Sequence, residues 1–97
     1  MMHQALESLL TPSDAQTMQD EATARGAWLV WIVSTADLEH PGKVVARAHA
    51  VNHQGGNVLP GALVADTLDD LRAMLPANLT RHNRTSSMPP DVIEEWN

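Results

Sequence analysis

Trp28-Leu29-Val30-Trp31-Ile32-Val33 is apolar at every position, and this run restricts the fold more than any other stretch of the chain. Successive side chains in a strand point to opposite faces, so a strand of this composition belongs in the middle of a sheet with both faces under cover. Trp28 and Trp31 are three residues apart and therefore face opposite sides. One of them enters the core beneath a helix, and the other needs a cover of its own. Thr35 to Gly42 ends in the Pro-Gly punctuation of a loop, after which Lys43 to Val51 reads as the returning strand of a hairpin. Its faces are unequal: Val44, Ala46, Ala48 and Ala50 make a small apolar face that a helix can approach closely, while Val45, Arg47, His49 and Val51 make a mixed one.

A helix to lie on that sheet is written at residues 67–75. Thr67 and Asp70 have the spacing of a capping box, and Asp69 and Asp70 suit the positive end of the helix dipole. Leu68, Leu71 and Leu75 share one side with Met74 beside it, and Pro76 stops the helix. Burying three Leu side chains contributes roughly 1.5–3 kcal/mol each, more than two turns gain from propensity, so this helix exists only packed on an apolar surface. A short strand at 62–65 leads into it, while Asn52 to Asn57 reads as a turn and Ala77 to Pro90 as a long surface loop. Asp91 to Trp96 then alternates as a final strand, with Val92, Glu94 and Trp96 on one side and Ile93 and Glu95 on the other. Strands 62–65 and 91–96 would form a right-handed crossover if they were parallel neighbours.

The first quarter of the chain reads as two helices. Leu6, Leu9 and Leu10 mark one that ends near Thr11-Pro12, and Ser13 with Gln16 forms a capping box for a second that ends at Gly26. The second carries only Ala15, Met18 and Ala22 along its apolar stripe, so its grip on a core is weak and it can serve as a partner-facing element.

Ninety-seven residues suit a single domain, with 1–26 a helical extension and 27–97 an α+β core. The absence of cysteine excludes a disulfide framework, a thiol nucleophile and any cysteine-ligated zinc site. No apolar run approaches the roughly 20 residues that span a bilayer, and Met1 to Glu7 lacks the basic and apolar regions of a signal peptide. A cytoplasmic protein is expected, which sets aside the glycosylation patterns at Asn78-Leu79-Thr80 and Asn83-Arg84-Thr85. Twelve acidic against six basic residues argue against nucleic acid or an anionic membrane as the partner.

Residues capable of chemistry do not converge. His49 and His53 are separated by a turn and His40 lies at the other end of the hairpin, so no metal site is expected. Ser34, Asp37 and His40 have the types of a hydrolytic triad without a nucleophile elbow or an oxyanion signature. Glu94 and Glu95, adjacent in a strand, point apart and read as solubilising edge charges. Asp66, Asp69 and Asp70 already occupy the N-terminal end of helix 67–75, and no glycine-rich cradle offers a cofactor site. Arg81-His82-Asn83-Arg84 is the one basic cluster able to hold an anion by charge-assisted hydrogen bonds.

The segment from Trp28 through Pro41-Gly42-Lys43-Val44-Val45-Ala46-Arg47 and Leu63-Val64-Ala65-Asp66-Thr67-Leu68-Asp69-Asp70-Leu71-Arg72-Ala73-Met74-Leu75-Pro76 to Ile93-Glu94-Glu95-Trp96 resembles small uncharacterised proteobacterial proteins. That resemblance implies no activity. In size and acidity the chain is also similar to phage-encoded inhibitors such as anti-CRISPR proteins.

The sequence thus describes an α+β domain with an antiparallel sheet of three to four strands, helix 67–75 on one face and two N-terminal helices. The function it favours is a non-enzymatic module, without cofactor or metal, that binds a protein partner or itself; inhibition of the anti-CRISPR kind is one such role. The contact residues would be Trp28, Trp31, Arg47, His49, Arg81 and Arg84. Should the N-terminal helices leave the second sheet face bare, a two-fold dimer would bury it, with helix 14–25 lying across the neighbour. The competing reading is a small-ligand or nucleic-acid binder that uses the open sheet face and the Arg81 to Arg84 loop.

Overall fold

In the computed structural model, which describes residues 8–35, 37–52, 55–83 and 89–97, the apolar run becomes β1 (Trp28–Ser34) and takes the middle of an antiparallel sheet. Its neighbours are β2 (Val44–Asn52) and β6 (Val92–Trp96). On the outer side of β2, β3 (Gly55–Val58) pairs with residues 49–52 and β4 (Leu63–Ala65) with residues 44–46. β5 (Arg81–Asn83) closes the opposite edge against β6. The fold is α+β, but with six strands rather than three or four. The two extra strands come from the expected turn at 52–57 and the expected loop at 77–90, because β2 and β6 each present an unpaired row of backbone groups that these residues satisfy. β4 and β6 are separated by β2 and β1 and run antiparallel to each other, so no crossover joins parallel neighbours.

Among the described residues one N-terminal helix, α1 (Pro12–Ala24), stands where two were expected. The Met1 to Glu7 part of the expected first helix lies outside the described residues. Ser8 to Leu10 is extended instead: Leu10 N–H donates to the Ala62 carbonyl at 2.8 Å and Ala62 N–H to the Ser8 carbonyl at 3.0 Å. Gly61, at φ 92°, lets this crossing happen, since a Cβ there would sit 2.7 Å from Leu10 Cδ2. The cap of α1 is Thr11 and not Ser13. Thr11 Oγ1 accepts from Asp14 N–H at 3.0 Å while Asp14 Oδ2 accepts from Thr11 N–H at 2.9 Å, and Pro12 takes the first helical position, where no N–H is needed.

α2 (Leu68–Met74) begins as its sequence indicates, with Thr67 Oγ1 accepting from Asp70 N–H at 3.1 Å. Leu71 is fully buried and Leu68, Met74 and Leu75 pack around the same core. Both helices lie on one face of the sheet, α1 against β1 and α2 against β2 and β4. Leu29, Trp31 and Val33 of β1 meet Ala50, Ala48 and Ala46 of β2 there. The alanines leave room for the Trp31 ring, whose indole N–H donates to Gln19 Oε1 of α1 at 2.9 Å. Trp31 is 0% exposed, which removes it from any contact surface.

β6 does not alternate simply. Glu94 faces Val33 but Val92 faces Ser34, so Ile93 is the extra residue of a bulge and Val92 falls in the row of Ser34 and Val45 on the second face. Val45 and Val92 are buried yet lie outside the helix-side cluster. The segment after β1 is tied to this end, with Thr35 N–H donating to the Asp91 carbonyl at 3.0 Å.

Candidate protein interface

The second face of the sheet, opposite both helices, is built by register. Trp28 pairs with Val51, Val30 with His49, and Ile32 with Arg47 on one side and Glu95 on the other; Val58 of β3 lies beside His49. Of these, Trp28 is 62% exposed, Val58 57% and Val51 42%, so an apolar stripe crosses β1, β2 and β3 in contact with solvent. No element among the described residues covers it. The helix 14–25 that was to lie across a neighbour packs on the other face and cannot contribute to a contact here.

Polar groups frame one end of this stripe. Arg47 Nη1 donates to Asp37 Oδ1 at 2.8 Å and Nη2 to Oδ2 at 3.3 Å, with Glu39 3.9 Å away, so the loop after β1 is clasped onto this face. The Arg47 guanidinium holds the Asp37 carboxyl below the usual carboxylate range against the opposing effect of burial. Leu38, next to that clasp, is 97% exposed. His49 is half-buried; burial and the Arg47 charge push its imidazole below its ordinary value, while Glu95 pulls the other way.

The expected contact residues are therefore divided. Trp28, Arg47 and His49 share the open face. Arg81 pairs with Trp96, which pairs with Trp31, so its register places it on the helix side at the outer edge. Arg84 and His53 lie outside the described residues. Both Asp37 carboxylate oxygens accept from Arg47, and the His40 charge also acts on that carboxyl. Among the described residues no three His, Asp or Glu side chains gather as metal ligands, and no helix is long and apolar enough to cross a membrane.

Sequence reasoning misplaced Glu94. It is 4% exposed rather than an edge charge, and it accepts from Arg72 Nε at 3.0 Å, from Arg72 Nη2 at 2.7 Å and from Trp96 Nε1 at 2.9 Å. The Arg72 fork, supported by the Trp96 N–H, holds its carboxyl below the usual carboxylate range against the desolvation of the site. Its alternation with Trp96 was the available signal, since both fall on the side that the helices cover. Comparisons with protein-family models, with curated proteins and with solved structures found no match to the chain.

Proposed function

We propose that this chain is a non-enzymatic protein-interaction module that works through the open face of its sheet. The observation that carries the reading is the exposed stripe of Trp28, Val51 and Val58, with Arg47 and His49 beside it. Aromatic residues and Arg are the types enriched in the energetic centres of interfaces. Apolar patches of several hundred Å² are uncommon on surfaces that remain in water. On this face the Asp37 carboxylate is held by Arg47, which favours binding over catalysis. A chain without cysteine suits a reducing compartment, and the cytoplasm is the proposed place of action.

The test uses tagged wild-type protein and the variants Trp28→Asp and Val58→Asp as bait in an extract of the source cell, with circular dichroism melts as folding controls. Folded variants that lose the proteins held by the wild type are the expected result. Folded variants that retain the same set would overturn the reading.

A further inference from the structure

We infer that the groove between the last turns of α1 and the sheet is a site for a free apolar α-amino acid. The ligand's side chain enters the groove, its ammonium meets Glu21 and its carboxylate meets Arg25. The site lies on the helix side of the sheet, away from the open face, and stands independently of any partner bound there.

The groove has its origin in side-chain size. Trp31 fills the space between α1 and the sheet at the level of Gln19, whose Oε1 accepts its indole N–H at 2.9 Å. The next residue of β1 on that side is Leu29, which pairs with Ala50, and Ala22 is the α1 residue one turn beyond Gln19. No side chain as large as Trp31 follows there, so an apolar groove of about 340 Å³ remains, with Met18 on one side and Leu59 and Pro60 on the other. Its floor belongs to the core, since Ala22 and Leu29 are 1% and 2% exposed. Its walls are fixed by the backbone. Ala27 N–H donates to the Ala22 carbonyl at 2.8 Å and closes the last turn of α1, while Leu59 N–H donates to the Ala48 carbonyl at 2.8 Å and ties the segment after β3 to β2.

Glu21 and Arg25 also line this groove, one helical turn apart on α1. Among the described residues neither side chain forms an ion pair or hydrogen bond with the other or with a third group. Two opposite charges whose Cβ atoms stand roughly 5–6 Å apart suit the two charged groups of an α-amino acid, which are joined through a single carbon. The apolar lining selects an apolar side chain. A simple carboxylic acid would leave its charge beside Glu21, and a simple amine would leave its charge beside Arg25; the zwitterion satisfies both. The volume lies at the lower end of the roughly 300–1,000 Å³ found for small-molecule sites, which suits a single amino acid.

The test is a titration of methyl-labelled full-length protein with L-leucine, N-acetyl-leucine, leucinamide and glycine, followed by NMR. L-Leucine is expected to give saturable shifts of the Ala22, Leu29 and Leu59 methyl signals, with Val51 on the opposite face unmoved, and glycine to give none. Both charges are exposed, so Glu21→Gln and Arg25→Gln are each expected to weaken leucine binding about two- to fivefold. Glu21→Gln is expected to leave the binding of N-acetyl-leucine, which has no ammonium, unchanged, and Arg25→Gln that of leucinamide, which has no carboxylate. Circular dichroism melts show that each variant is folded. Absence of saturable shifts with leucine, equal binding of leucine by the wild type and both folded variants, or equal binding of leucine and its two derivatives by the wild type overturns the inference.

Discussion

Arg72 of α2 grips Glu94 of β6 with two nearly parallel hydrogen bonds, Nε to Oε1 at 3.0 Å and Nη2 to Oε2 at 2.7 Å, and Trp96 adds its indole N–H at 2.9 Å. This is how α2, which starts from the β4 edge of the sheet, is tied to a strand on the far side of β1. Glu94→Gln keeps the shape and removes the charge, and is expected to lower stability by about 1–3 kcal/mol in urea denaturation. The same carboxyl sets part of the acid limit. Its folded pKa lies below the ordinary 4.5, so its stabilisation is complete above that value and is lost as pH falls through the lower folded one. Asp37, held down by Arg47, acts in the same direction. In a pH series of thermal melts the Glu94→Gln variant is expected to lose less stability than the wild type below about pH 4.5; parallel curves would contradict this.

His49 acts in a higher window. Its folded pKa lies below 6.5 because it is half-buried on the open face with Arg47 nearby, and Glu95 only partly offsets this. The unfolded chain therefore takes up the proton first, and stability declines as pH falls from about 6.5 toward the folded value. His49→Gln is expected to flatten that part of the melting-temperature profile and to leave the limb below about pH 4.5 in place.

Leu71 measures how firmly α2 belongs to the core. It is fully buried, so Leu71→Ala is expected to cost about 2–5 kcal/mol, and Leu71→Asp, which places an unpaired charge there, to prevent folding. An unchanged melting temperature in Leu71→Asp would remove α2 from the core.

The opposed faces of Trp28 and Trp31 and the Thr67 cap were legible in the sequence because each follows from spacing within a few residues. The strands Gly55–Val58 and Arg81–Asn83 were not, since two glycines in one and three exposed polar residues in the other carry no period-2 signal. They become strands because β2 and β6 offer them backbone partners. Thr11 displaced Ser13 as the cap because Pro12 is already set for the first turn and Asp14 completes the reciprocal pair. The bulge at Ile93 and the meeting of Glu94 with Arg72 depend on tertiary placement that local pattern does not encode. Strand alternation puts Arg47 and His49 on one face, but which of Trp28 and Trp31 joins them follows only from the cross-strand register. Their exposure depends on where α1 packs, and its thin apolar stripe settled neither face.

The most direct measurement is solvent paramagnetic relaxation of the methyl and tryptophan-indole NMR signals of the wild-type chain. Signals of Trp28, Val51 and Val58 on the open face are expected to broaden with a soluble paramagnetic probe, while those of Trp31, Leu63 and Leu71 beneath the helices stay sharp. A Trp28 indole as well protected as that of Trp31, or broadening that falls on Leu63 and Leu71, would contradict the account.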